Sequence, residues 1–398
     1  MQTEKPLSFQ LAGSVISTIL RHDSKMTSYK IALLRAMNDV VLSFPDLYTY
    51  DQDVAVPLRE LARYWVAYYW PFMDEQQPIW QGPRARQGDG WKNDVLFRDA
   101  LTRLRQELER LSPWVSPRPS DGFFLINEMK IARKKHLYSP ELLQQYELTL
   151  KAICEALEKP IQHAGPGEWG IFARPARYKL LAGHVVAVPG TRPEDRCVVI
   201  KADLWRTFRE MSLWIEALCI HEWCLFSERL PSEDPVDRGR IYSLLVDRPD
   251  NRRPLNWERN HIDILLLEGK EFTCPWSHKV IRVGVKYDLD HLMPLSVYPI
   301  NELWNLVPAD PYYNSHQKRD RLPSVKHLLE AQSHLIQAYS NYLASMPLAT
   351  VIKDDVYGRF ATVPAMVNGQ DANFTSEVAR VVVNFLDDVA IARNLARF

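Results

Sequence analysis

The chain has 398 residues, 46% of them apolar and 25% charged, with 49 basic and 49 acidic side chains that cancel to a formal net charge of zero. That length exceeds what one hydrophobic core usually serves, and the composition excludes disorder on a large scale. Zero net charge excludes strong, indiscriminate attraction to polyphosphate, although a local basic face can still bind nucleic acid.

From Leu7 to about Leu111 the pattern is mostly helical. Thr27 or Ser28 can cap a helix whose apolar residues Ile31, Leu34, Met37 and Val41 recur at three- and four-residue steps, with Pro45 as its stop. A second helix carries Leu58, Leu61, Trp65 and Tyr69 and should end before Pro71. Gln81 to Trp91, rich in Gly, reads as an exposed loop, and Leu96 to Leu111 as an amphipathic helix broken by the prolines of Ser112 to Asp121. Helical spacing returns from Pro140 to Leu157. Short β-like runs follow at Val185 to Val188 and Cys197 to Ile200. One long helix is expected from Asp203 to Arg229, then a loop-rich stretch from Pro231 to Arg259, and helices from Val325 to about Ser345 and from about Ser376 to Arg397.

Five irregularly spaced cysteines do not make a secreted disulfide framework. No run reads as a signal peptide or a membrane span, so a reduced, cytoplasmic setting with no membrane partner is expected. His221-Glu222 opens like a zinc-protease motif, but the fourth place after His221 is Leu225, so it reads as a helix end with a partly buried histidine. Trp205, Trp214 and Trp223 read as core or interface packing rather than a base-stacking platform. Arg133, Lys134 and Lys135, and the Arg252, Arg253 and Arg259 group, read first as solvated charge.

The informative window starts at Phe272 and reads FTCPWSHKVIRVGVKYDLDHLMPLSVYPINELWNLVPADPYYNSHQKRDRLP. Val280 to Val285 and Lys286 to Leu289 give a β-rich approach to Asp290-His291. Trp304-Asn305-Leu306 follows, then Asn314 and the basic stretch Lys318-Arg319-Asp320-Arg321, which can open a helix. A neutral imidazole such as that of His291 can take a proton from an attacking water. Oxygen donors such as Asp290 and Asn314 suit a hard cation. An isolated Asp-His pair would mean only a surface turn. Neighbouring side chains on a regular strand also face opposite ways, so Asp290 and His291 converge only where the strand twists or ends.

Over about fifty residues this order resembles the HNH (ββα-metal) endonuclease family, closest to the subgroup of restriction and phage-defence nucleases. Fourteen residues separate His291 from Asn305 and nine separate Asn305 from Asn314, with Pro294, Trp304 and Leu306 flanking. The resemblance implies an α+β, predominantly helical, multi-domain chain with a ββα-metal nuclease module in its C-terminal half. The expected division is a helical N-terminal domain over 1–164, a mixed α/β region over 165–255, the module over 256–330 and C-terminal helices over 331–398.

It implies a metal-dependent endonuclease with His291 as general base and Asn305 as the catalytic-loop tether, and with a single Mg2+ or Mn2+ on Asp290 and either Asn314 or His316. Lys318, Arg319 and Arg321 would meet nucleic acid, DNA rather than RNA, and a protein partner in a defence system is implied as well. Two departures stand out. Gln317 occupies the place where the family often has lysine, with Lys318 one residue late. Where relatives carry two Cys-x-x-Cys pairs, this chain has Cys274 and Ser277, then Asp310 and Tyr313, so no structural zinc is expected. The rival expectations are an HNH-shaped module without catalysis, acting in binding or assembly, and a mainly structural helical protein.

Overall fold

The computed structural model describes residues 9–44, 46–47, 51–83, 85–87, 90–92, 94–111, 117–181, 183–230, 236–247, 255–295, 297, 302–363 and 371–398. The chain packs as two compact units, Met1–Leu42 with Thr49–Arg248, and Ser43–Tyr48 with Pro249–Phe398. Both mix helix and strand, with helix dominant, so the α+β expectation holds at that level. Pro45, residues 112–116, Arg252 and Arg253 lie outside the described residues.

The first unit contains α1 (Phe9–Arg21), α2 (Tyr29–Ser43), β1 (Asp53–Pro57), α3 (Leu58–Tyr69), β2 (Ala85–Gln87), β3 (Gly90–Lys92), α4 (Arg98–Leu111), α5 (Asp121–Lys130) and α6 (Pro140–Gln162). It continues with β4 (Ala176–Arg177), β5 (Val185–Ala187), β6 (Arg196–Ile200), α7 (Ala202–Glu210), α8 (Ser212–Arg229) and α9 (Arg238–Val246). The strand order of its main sheet is β4-β6-β1-β5. β1 is an inner strand, parallel to β5 and antiparallel to β6. An apolar run such as Val54-Ala55-Val56, fully buried, suits that interior place. Its pairing partners lie on the far side of residue 164, so residues 1–164 are not a separate domain.

Other differences are local. Gln81 is fully buried, taking the Trp223 indole N–H at 2.6 Å, and β2 pairs with β3, so the expected exposed loop is partly a hairpin. The helix expected over Asp203 to Arg229 is two, separated at Met211; Thr207 just before it donates its hydroxyl to the Asp203 carbonyl, a bond that bends helices. His221 sits inside α8 and is exposed, because that helix continues to Arg229. Trp205 and Trp223 are buried as expected, whereas Trp214 is exposed. Lys134 is internal, paired with Glu128.

The second unit contains α10 (Asn256–Leu267), β7 (Phe272–Thr273), β8 (Val280–Ile281), β9 (Asp288–His291), β10 (Leu306–Ala309), a short helix over Tyr313–Lys318, α11 (Val325–Ala344), α12 (Met346–Arg359) and α13 (Asp371–Ala392). β7 pairs with β8 and β9 with β10, both antiparallel. The strand expected over Val280 to Val285 stops at Ile281, because Gly284 turns the chain at φ +83°. Ser324 caps α11 by accepting from the His327 N–H, and Leu328, Ala331, Leu335 and Tyr342 form its buried stripe. One core joins Phe272, Trp276, Leu292 and Trp304 to α11, α12 and α13, so residues 256–330 and 331–398 are not separate domains either.

Candidate functional site

β9 and β10 form a two-stranded floor in which His291 faces Leu306, Asp290 faces Val307 and Asp288 faces Ala309 across the pair. Strand alternation puts Asp288 and Asp290 on one side of β9 and Leu289 and His291 on the other. The helix Tyr313–Lys318 meets the carboxylate side. Asn314 Nδ2 donates to Asp288 Oδ2 at 3.2 Å. Lys318 Nζ donates to Asp290 Oδ1 at 2.8 Å and to the His291 carbonyl at 2.7 Å.

Lys318 is one residue later than the resemblance expects, and the helix absorbs that residue. Tyr313–Lys318 is a π-helix, in which the Arg319 N–H reaches the Asn314 carbonyl at 2.8 Å, five residues back. Such wide turns are rare and accommodate an extra residue within helical winding. Here the wide turn brings both Asn314 and Lys318 to β9. The turn closes at Arg319, which has φ +53°. Lys318 is 1% exposed, and an ammonium so buried is tolerated only with its charge and donors matched.

The other oxygen of Asp290 is held from a different hairpin. Trp276 Nε1 donates to Asp290 Oδ2 at 2.9 Å. Trp276 belongs to the tight connection between β7 and β8, where Cys274 Sγ accepts the Ser277 N–H at 3.4 Å and His278 has φ +59°. Phe398 packs edge-on against the Trp276 ring, with centroids 5.6 Å apart, and against Tyr313 at 6.0 Å. Aromatic contacts therefore fix the indole that binds the carboxylate.

Asn305 bonds through its side chain to the backbone just after β9. It is fully buried; its Oδ1 accepts the Met293 N–H at 2.7 Å and its Nδ2 donates to the Met293 carbonyl at 3.2 Å. The Asn305 carbonyl also accepts the Leu292 N–H at 2.8 Å. The chain just after His291 is thus tied to the chain just before β10. α11 secures the same segment from behind: Tyr339 Oη donates to the Trp304 carbonyl at 2.8 Å and Tyr342 Oη to the Leu306 carbonyl at 2.7 Å. Burial in this apolar core pushes both phenols well above their ordinary pKa, so they remain donors.

The expected site residues therefore divide. Asp290, His291, Asn305 and Asn314 share one small substructure, although Asn314 reaches Asp288 rather than Asp290. His291 is the last residue of β9 and is 6% exposed. His316 is exposed, stacked on Tyr312 at 4.5 Å and bonded to Ser315, on the helix side away from Asn314 and Lys318. Lys318 was expected at nucleic acid, but its burial and its bonds to Asp290 and His291 keep it from phosphate. Arg319 is exposed, and Arg321, half-buried, caps the Gln317 carbonyl. Asp288, Trp276 and the two tyrosines escaped the sequence reading. Asp288 could have been found, since it stands two places before Asp290 on a strand.

A divalent metal, implied by the resemblance, does not fit the residues as they stand. Both Asp290 oxygens already accept, one from a cation, and Asn314 presents its amide donor to Asp288. Among the described residues no group of three or more His, Cys, Asp or Glu side chains is arranged to hold a metal. A structural zinc does not fit the positions Cys274, Ser277, Asp310 and Tyr313 either, which offer a single thiol.

No curated protein and no solved structure matches the chain. Residues 10–245, more than half of the 398, match a family described as a domain of unknown function (DUF8808). Apart from residues 43–48, that span lies in the first unit, and it ends before the β9–β10 site. The chain belongs to the DUF8808 family.

Proposed function

We propose that the second unit carries an HNH-type nuclease centre and that the protein is an endonuclease hydrolysing nucleic-acid phosphodiesters, DNA rather than RNA. The observation that carries this is the strand–strand–helix arrangement that gathers Asp290-His291, the Asn305 tether and Asn314 within one substructure. Its order along the chain matches the order of the resemblance. Phosphodiester hydrolysis needs a base for the attacking water, and His291 is the imidazole at the end of β9. Asn305 fixes the backbone on which that imidazole is mounted. With 6% of its surface exposed, His291 meets a water and a phosphate only after the site opens on binding. No chemistry is assigned to the metal, because Asp290 has no open ligand position in this arrangement.

The test is cleavage of supercoiled plasmid with Mg2+ or Mn2+ by the full chain and by His291→Ala. Loss of a general base should slow cutting by roughly a hundredfold or more. Equal cutting by both proteins refutes the assignment. A restriction or anti-phage role with a protein partner is part of this proposal. It requires that a host carrying His291→Ala lose whatever resistance the wild-type chain confers.

A second reading is favoured by the Lys318–Asp290 pair: an HNH-shaped module that binds nucleic acid or assembles a complex without cutting. In that case the ammonium is a permanent structural counter-ion, and no Mn2+ binding that depends on Asp290 will be measured.

A further inference from the structure

In the first unit, the start of α3, one side of α6 and the start of β6 border a cavity of about 490 Å3. Small-molecule sites commonly occupy about 300–1,000 Å3. α6 supplies most of the wall. Gln144, Glu147, Leu148 and Lys151 stand three and four residues apart and so share one helix face, with Cys154 a turn further on. The opposite face of α6, carrying Leu142, Tyr146, Ile153 and Leu157, is buried in the core. Leu58 and Leu150 are buried at the floor of the cavity, whereas Leu148 is 50% exposed, an apolar side chain that the core does not use. Burial pushes the Cys154 thiol pKa up to about 11, so the thiol stays neutral near pH 7 and adds to the apolar surface.

The charged side chains of the lining are mostly cationic. Arg59, Lys151 and Arg196 face one carboxylate, that of Glu147. Arg59 Nη2 donates to Glu147 Oε1 at 2.6 Å, and Arg196 pairs with Glu158, which is not part of the lining. Those two pairs cancel. Lys151 is left exposed, with no hydrogen bond or ion pair among the described residues. One unmatched positive charge therefore stands beside an apolar wall. The lining offers no aromatic ring on which a base could stack, and a single neutral amide, Gln144, is too little to read the hydroxyls of a sugar. What complements these side chains is an aliphatic chain ending in one negative charge.

We propose that this cavity binds a single-chain aliphatic carboxylate, with its chain against Leu58, Leu148 and Leu150 and its head group on Lys151. All of these residues lie within 10–245, so the site is independent of the nuclease centre.

Calorimetry of the full chain with sodium decanoate, kept below the concentration at which it forms micelles, should show one saturable site. Octanoate lacks two of the methylenes and should bind up to about tenfold more weakly. Decyltrimethylammonium, alike in chain and opposite in charge, should bind about tenfold or more weakly than decanoate. Lys151→Glu and Leu148→Asp change exposed positions that the fold tolerates, and each should lose about tenfold or more in decanoate affinity. Circular dichroism checks that both variants fold. Acylation by an N-hydroxysuccinimide ester, read by mass spectrometry, locates the site: Lys151 should lose reactivity as decanoate saturates, while exposed Lys326 should not.

No saturable binding by the wild-type chain, or an unchanged affinity in either folded variant, overturns the proposal. Equal binding of decyltrimethylammonium overturns it too, since apolar contact alone would then suffice. So does an unprotected Lys151 at saturation, which would put the carboxylate elsewhere. Protection of Lys151 by an acidic, leucine-containing peptide but not by decanoate would replace the small amphiphile with a protein partner.

Discussion

Asn305 directs both halves of its amide at the backbone of one residue, Met293, from a fully buried position. Asn305→Ala would strand a buried N–H and a buried carbonyl, each costing about 1–3 kcal/mol, so the variant should lose roughly 2–6 kcal/mol. Urea unfolding followed by circular dichroism measures this, and a loss below about 1 kcal/mol would mean that the tether is dispensable. His334 gives a test in pH. Burial, and then the neighbouring His278, lower its imidazole pKa below the ordinary 6.5. The unfolded chain therefore binds more proton than the fold in the window just below 6.5, and stability rises with pH through that window. It falls again as pH drops toward the depressed value. His334→Gln should flatten this slope in melting temperatures recorded from pH 5 to 7, about the range where an unperturbed histidine titrates. An unchanged slope would exclude His334 as its source.

At the level of elements, α11 governs the segment that holds Asn305. Tyr339 and Tyr342, three residues apart, send their hydroxyls to the carbonyls on either side of it. Tyr339→Phe and Tyr342→Phe keep the rings and remove one bond each, so each should cost about 1 kcal/mol in a thermal melt. Because both bonds hold the same three-residue segment, the double variant should depart from simple addition. The helix itself was legible from its cap and apolar stripe, as was α3 from Leu58, Leu61, Trp65 and Tyr69. The π-wound helix over Tyr313–Lys318 was not. Its winding is set by which side chains β9 must meet, and Asn314 and Lys318 meet it only if the turn is widened. Side-chain period within one segment carries no record of that demand.

Across the whole molecule, the balance of 49 basic and 49 acidic residues leaves nucleic-acid contact to a few local charges. With Lys318 internal, Arg319 and Arg321 remain from the expected group. Replacing both by Gln should lower the slope of log affinity against log salt by about 1.8 for duplex DNA, as two fewer phosphates are neutralised. Fluorescence anisotropy over about 50–200 mM salt measures it, and an unchanged slope would place the contact elsewhere. No helix among the described residues is long and apolar enough to cross a membrane. The sequence by itself determined the order and spacing of Asp290-His291, Asn305 and Asn314, because distances along a strand or helix follow from fixed backbone geometry. It also determined most long helices through their apolar period. Only the tertiary structure decided that β1 pairs with strands from beyond residue 164, and that Asp290 is held by Lys318 on one oxygen and Trp276 on the other. The physical reason is that a buried charge takes its partner from whatever group packing brings within about 3 Å, and packing is a property of the assembled core rather than of any one segment.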